Sequence, residues 1–364
     1  MSSSASSPPG ELIIGTYTER LPHVDGQAEG ILSCRYEAGP IGPPRVLART
    51  RNPSFIVLSP DRTRLYAVNE TVDFEGQPGG GVTAFARDPG SGGLSLLNTR
   101  PSGGVEPAHL ELDPSGRFLL VANYRSGSVS VFSLEADGSI GPMTDHVQHE
   151  GASVHPVRQT GPHAHMIMFD PADGDVLVPD LGLDAVLRYE LTDEGKLLER
   201  PGQRIVMAPG AGPRHLAFHP GGSYLLVVNE LDNTAVALRR EASGFVITDV
   251  ASTLPEGFGG HSQAAAIRVS PSGRSVLVSN RGVDSDTIAV FRFDADKGTL
   301  NLAQLVPAQG REPRDFIVTA DGRFVIVASQ DSDALAVMEF DEDGPGLRYL
   351  SSTPVPTPVC LRIA

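Results

Sequence analysis

Histidines, arginines and carboxylates recur in this chain beside short apolar runs whose flanking sequence is otherwise alike. Before one set of runs stand His109, His163, His165, Arg214, His215, Arg314 and Asp315; after the runs that follow stand Glu70, Tyr124, Asp180, Glu230, Arg281 and Gln330. Tyr17, in GTYT (15–18), occupies the position that Tyr124 holds after Asn123. Imidazoles exchange protons near neutral pH, guanidiniums hold phosphates, carboxylates and oxyanions, and carboxylates orient both. Gathered at one point, this set suits acid–base chemistry on a small anionic substrate. These residues run from Tyr17 to Gln330, so only a fold that returns repeatedly to one place can gather them.

The sequence provides that return. NPSFIVLSPDRTRLYAVNE (52–70), EPAHLELDPSGRFLLVANY (106–124), GPRHLAFHPGGSYLLVVNE (212–230) and EPRDFIVTADGRFVIVASQ (312–330) share one template, and residues 161–181 and 262–281 follow it more loosely. Copies begin about fifty residues apart, in the range of four-stranded repeat units. Each is an apolar run, a polar turn such as Ser270-Pro271-Ser272-Gly273 and a second apolar run, the pattern of a β-hairpin. A third alternating run follows, for example SVSVFSLE (128–135), and in most copies a weaker fourth. Four antiparallel strands of this length form a propeller blade.

Six copies leave fragments at both ends, and these complete one another. TPVCLRIA (357–364) matches the template's first strand and ELIIGTYT (11–18) its second, with ILSCRYE (31–37) and RVLART (45–50) as third and fourth. The expected fold is therefore all-β: one seven-bladed β-propeller over residues 11–364, its last blade built from both termini. That closure removes an open strand edge. Residues 1–10 read as a disordered tail. The absence of Trp excludes the tryptophan–aspartate repeat.

Antiparallel pairing sets the start of strand one beside the end of strand two, so the chemically varied residues share one face at the central channel. The turns lie on the opposite face, where Arg62, Arg117, Arg274 and Arg323 read as solvated turn residues. Some of the chemical set has a plainer reading. His109 and His215 sit in one register and suit bridging backbone groups between blades, while Asn69, Asn123, Asn229 and Asn280 suit backbone bonding at strand ends. Arg214, Glu230, Arg281 and Arg314 are harder to explain structurally, because charges beside a narrow channel are costly unless paired or used.

Glu70, Asn123, Asp180 and Glu230 carry oxygen ligands of the kind calcium takes, but three arginines at the same mouth disfavour a divalent cation. His163-x-His165 alone is a weak zinc signal, and no metal or cofactor is expected. His146, His149 and His155 fall in a longer connection, 136–160, that reads equally as a mobile flap or as a ligand set. A net charge of −15 excludes nucleic acid and anionic membrane as partners. MSSSASSPPG lacks the basic and apolar parts of a signal peptide, which favours the cytoplasm. Cys34 and Cys360 read as buried small hydrophobes rather than a disulfide. A non-enzymatic interaction propeller is the competing class, but it would present apolar hot spots where this chain puts charges.

The motifs GTYT (15–18), PAHL (107–110), PHAHM (162–166), PDLGLD (179–184), GPRHLAFHP (212–220), NEL (229–231), SNRG (279–282) and EPRDF (312–316) resemble the propeller lactonases, the family of bacterial 6-phosphogluconolactonase and the fungal carboxymuconate lactonizing enzyme. The resemblance covers nearly the whole chain. It implies a metal-free reaction centred on His165, Arg214, Glu230 and Arg281, with hydrolysis of an anionic sugar lactone such as 6-phosphogluconolactone (a step of the pentose phosphate pathway) favoured over muconate cyclization. On this reading His165 activates water, and Glu230 orients it or shares the task. Arg281 and Arg214 stabilise the oxyanion, and Arg314 holds the phosphate or carboxylate. Tyr17, Glu70, His109, His163, Asp180, Asp315 and Gln330 are the remaining expected substrate contacts.

Overall fold

A computed structural model describes residues 10–37 and 39–364; most of the expected tail lies outside them, and Gly10 already opens the first strand. Seven antiparallel sheets follow one another around a channel. In the second blade, Pro107–Leu112 is innermost, then Phe118–Asn123, Ser128–Leu134 and Ile140–Gln148. The third blade differs at its rim, where Leu197–Glu199 and Ile205–Val206 share the outer position against Ala185–Leu191. Among the described residues no helix is long and apolar enough to cross a membrane.

The second strands read as unbroken apolar runs because each blade packs against two neighbours. In FLLVAN, Leu119 and Val121 join the core shared with the first blade, while Leu120 and Ala122 join the core shared with the third. Both faces are covered, so alternation vanishes there and reappears only in the half-exposed outer strands. The turns draw on side-chain capping: Asp113 accepts from the backbone N–H of Ser115 and Phe118, and Gly116 takes φ +72°. Two turn arginines do more than face solvent. Arg117 reaches Asp193 at 2.8 Å, and Arg274 reaches Glu342 at 2.9 Å and Asp343 at 2.5 Å, each tying its blade to the next.

The ring closes as the fragments indicate. Pro358–Ile363 pairs with Gly10–Thr16, with Leu12 opposite Ile363 and Gly15 opposite Cys360. Gly15 is required there, since a Cβ would stand 2.6 Å from the Pro53 carbonyl oxygen of the first blade. Cys34 and Cys360 are free and buried, on opposite sides of the strand that separates them.

Candidate active site

The mouth of the channel is shaped by an irregularity that recurs at the start of the innermost strands. Pairing slips between Pro107 and His109, between Pro213 and His215 and between Pro313 and Asp315. Each slip is a bulge whose extra residue is Ala108, Arg214 or Arg314. Bulges re-aim a side chain without ending the sheet, and here they set residues of one register along the channel. Of the four strand-end asparagines, Asn69 donates to the Arg51 carbonyl at 2.6 Å and Asn280 to the Thr253 carbonyl at 2.9 Å, as expected of backbone bonding. Asn123 and Asn229 donate instead to the hydroxyls of Ser130 at 3.2 Å and Thr234 at 2.9 Å.

A cavity of about 240 Å³ opens at this mouth, lined by His165, Glu230, Arg281, Arg314 and Glu70 among others. Glu230 is its electrostatic centre. Oε2 meets Arg281 Nη2 and Arg214 Nε at 3.0 Å each, and Oε1 accepts from Arg158 Nη2 at 2.5 Å. The Arg214 contact is close but out of line for a hydrogen bond. Burial works to raise the Glu230 pKa, yet Arg281, Arg158 and Arg214 outweigh it and hold the group at about 2. A carboxylate so firmly ionised is a poor proton acceptor. Glu230 is thus held ionised as the shared partner of three arginines.

Arg214 lies beneath Glu230, its side chain 2 % exposed. Nη1 donates to the Ala265 carbonyl at 2.6 Å and stands 3.3 Å from His215 Nε2. Burial, then the neighbouring Arg281, pull its pKa down to about 9, so the guanidinium stays charged at neutral pH. It borders a lower pocket of about 10 Å³ shared with His165, His215, Arg314 and Asp315, and not the main cavity. The oxyanion role expected of Arg214 thus has no direct route to a ligand in the main cavity.

His165 borders both spaces. Burial lowers its pKa well below the usual value, and the positive charges of Arg214, Arg314 and Arg281 lower it further, so the imidazole is neutral at pH 7. Its ring meets Tyr124 edge-on at 5.3 Å and His215 at 5.1 Å. Arg314 is the uncommitted cation. Its nearest carboxylate oxygen, Glu70 Oε1, is 4.0 Å away, and the guanidinium lies over the Tyr17 ring at 5.5 Å. Among the described residues it makes no hydrogen bond.

The other expected contacts divide. Glu70 lines the cavity, and Tyr17 supports it from behind through a 2.8 Å hydrogen bond from the hydroxyl to Oε1. Ser54 donates to the second oxygen of Glu70 at 2.5 Å. His109 is stacked on Phe55 in the interior, and His163 is stacked on the outer side of Tyr124 with Nδ1 3.0 Å from the Tyr124 carbonyl oxygen. Asp180 caps a short turn by accepting from Gly182 and Leu183 N–H and also holds His149 at 2.7 Å. Asp315 pairs with Arg268 at 2.5 Å, and Gln330 borders a separate groove. None of His109, His163, Asp180, Asp315 and Gln330 lines the main cavity. The carboxylates of Glu70, Asp180 and Glu230 have separate partners, and among the described residues no cluster of His, Cys, Asp or Glu is arranged to hold a metal.

Besides Ala108, four lining residues escaped the sequence reading: His23, Glu106, Arg158 and Gln263. His23 comes from a segment inserted after Tyr17, and burial with the Arg314 charge lowers its pKa to about 4. Arg158 comes from the long connection after the second blade. Of the expected connection 136–160, Ile140–Gln148 is the outer strand of the second blade, and the part beyond it is anchored: Gln159 donates to the Leu181 carbonyl at 2.8 Å and to Asp184 at 2.7 Å, and Ser153 donates to Asp184 at 2.5 Å. Glu106 and Gln263 stand at the starts of innermost strands, in the register the repeat marks. Arg158 lies on the long connection, and His23 lies between the second and third strands of the last blade, where the first blade also carries a small hairpin, Asp73–Phe74 with Gln77–Pro78.

Fold and cavity together define a propeller whose channel mouth is built around cations and two neutral imidazoles, those of His165 and His23. The chain belongs to the seven-bladed β-propeller lactonase family, whose sequence profile matches residues 11–363. It is 37% identical to a 6-phosphogluconolactonase of Bacillus subtilis (strain 168) over 96% of this chain and 97% of the relative. A 6-phosphogluconolactonase of Formosa agariphila is 32% identical over 82% of this chain and 84% of its own. Among solved structures, the periplasmic gluconolactonase of Pseudomonas aeruginosa superposes with a TM-score of 0.90 at 33% identity, covering 98% of this chain and 99% of that one.

Proposed function

We propose that the protein hydrolyses 6-phosphogluconolactone to 6-phosphogluconate in the cavity centred on His165. The observation that carries this reading is the pairing of a buried, neutral imidazole with a guanidinium, Arg314, that has no hydrogen-bond partner among the described residues. Curated relatives called 6-phosphogluconolactonase, matched along almost the whole chain, support the choice of substrate.

Water attacks the ester carbonyl carbon while His165 takes its proton. The carbonyl oxygen becomes an oxyanion facing Arg314 and Arg281, charges already in place before the reaction begins. As the tetrahedral intermediate collapses, the bond from the former carbonyl carbon to the ring oxygen breaks. The imidazolium returns its proton to the departing alkoxide, leaving a carboxylic acid that ionises and a free hydroxyl. Glu230 keeps Arg281 and Arg158 in register throughout, and Arg214 acts through Glu230.

A phosphorylated substrate goes with a cytoplasmic location in this reading, because a charged sugar does not cross a bilayer unaided. The test is a hydrolysis assay comparing 6-phosphogluconolactone, plain gluconolactone and muconolactones. The expected order puts the phosphorylated lactone first. Turnover of muconolactones alone would replace this reading with that of a muconate enzyme.

A further inference from the structure

We propose that Arg158, carried across the mouth by residues 149–162, recognises the anionic group of the substrate remote from the reacting carbonyl; this rests on the lactonase reading above. The segment is a fixed strap. Beside the Gln159 and Ser153 anchors, His149 Nδ1 lies 2.7 Å from Asp180, and its backbone N–H donates to the Gly127 carbonyl at 3.0 Å. A side chain presented by such an anchored segment loses little entropy when a ligand arrives.

Arg158 is also half-committed. Nη2 serves both Tyr124, whose hydroxyl oxygen it meets at 3.0 Å, and Glu230 at 2.5 Å. Among the described residues Nε and Nη1 make no hydrogen bond, which leaves three N–H donors for a planar contact with phosphate or carboxylate. Its side chain is 28 % exposed, against 2 % for Arg214, 10 % for Arg281 and 13 % for Arg314, so it is the first of the four that an entering anion meets.

Tyr124 sets the spacing. Its ring abuts the His165 ring at 5.3 Å, while its hydroxyl end is bound to Arg158. Tyr124 therefore touches both the proposed base and Arg158. In 6-phosphogluconolactone the phosphate stands apart from the ester carbonyl, separated from it by the ring oxygen, C5, C6 and the phosphoester oxygen. The arginine that reads the phosphate is then distinct from Arg314, which is left for the oxyanion.

The experiment measures binding of 6-phosphogluconate and of gluconate by calorimetry, which needs no turnover, in the wild-type protein, Arg158→Ala and Arg158→Lys. Losing the Glu230 contact weakens both ligands alike, so the readout is the ratio of their affinities. Wild type is expected to prefer the phosphorylated acid at least ~10-fold, the worth of one charge-assisted contact. Arg158→Ala should erase most of that ratio and Arg158→Lys restore part of it. A ratio unchanged in Arg158→Ala, or no preference in wild type, overturns the assignment. Lactone assays run beside the titrations identify a failure of the hydrolase reading separately, since the binding ratio is independent of catalysis.

Discussion

Tyr17 donates its hydroxyl to Glu70 Oε1 at 2.8 Å, and this bond ties the last blade to the first. Tyr17 follows the N-terminal strand of the last blade, whereas Glu70 ends the second strand of the first. The wall of the cavity is therefore fastened across the boundary between those two blades. Arg314 of the sixth blade lies over the same tyrosine ring, and that contact crosses the closure, since the sixth blade leads into Pro358–Ile363 while Tyr17 follows Gly10–Thr16.

Deleting residues 357–364 is accordingly expected to unfold or aggregate the protein, although no residue that lines the cavity of about 240 Å³ is lost. The deletion strips the innermost strand from Gly10–Thr16 and exposes strand edges on both sides of the gap. Size-exclusion chromatography and thermal melting provide the check. A monomer with the wild-type melting temperature would show that closure contributes nothing.

His165→Ala is expected to lower kcat by ~10²–10⁴-fold with the circular dichroism spectrum intact. The pH profile gives a sharper test of its role. A base with a depressed pKa stays neutral, and active, at pH values below 6.5, so the acid limb of kcat/KM should lie lower than for a free histidine. Arg281 is one of the charges that lower it. Arg281→Met removes that charge, raises the His165 pKa and should move the limb upward in pH. A downward shift, or folded His165→Ala at the wild-type rate, rules His165 out as the base.

Glu230→Gln leaves Arg214 and Arg281 buried without the carboxylate they share. Breaking a buried ion pair from one side costs ~3–5 kcal/mol, so a lowered melting temperature should accompany the loss of activity. In this respect the variant differs from His165→Ala, which removes no charge at neutral pH. A Glu230→Gln protein that melts with wild type would contradict the role of Glu230 as the arginine anchor.

Stability should also decline in mild acid. Burial depresses the pKa values of His109, His165 and His215, so below ~6.5 the unfolded chain takes up protons that the folded one does not. Their contribution is intact above that value. It is lost as the pH falls below it, at up to ~1.4 kcal/mol per pH unit for each histidine. The Glu230 contribution persists longer, disappearing only as the pH falls from ~4.3 towards its folded value of about 2. Thermal midpoints that stay flat from pH 8 to pH 5 would contradict the histidine part.

The propeller and its closure were legible because six copies repeat one turn and two apolar runs, four of them opening on the same proline, and because the half-blades at the termini complement each other. His165, Glu230, Arg281 and Arg314 were legible by register, since the repeat fixes which strand end each occupies. Register alone does not reveal depth. The bulge at Pro213–His215 and the pull of the Ala265 carbonyl carry Arg214 below Glu230, and neither follows from the spacing of Pro213 and Arg214. Asp180 belongs to Asp-Leu-Gly-Leu, where a carboxylate has backbone N–H groups within its own turn to accept from, and that local demand took it. Arg158 lies on a connection longer than its counterparts, where no second copy supplies a register, and His23 lies in a hairpin between strands two and three whose counterpart in the first blade is of unrelated sequence.

The shared last blade also imposes an order on synthesis. Gly10–Thr16 emerges from the ribosome ahead of its inner neighbour, Pro358–Ile363, by the whole length of six blades. At ~5–20 residues per second the strand that carries Leu12, Ile13 and Ile14 waits for roughly 20–70 s with one edge unpaired. The ring therefore completes only once Pro358–Ile363 has been made, and the nascent chain must keep an apolar strand from pairing elsewhere for as long as the other six blades take to be made.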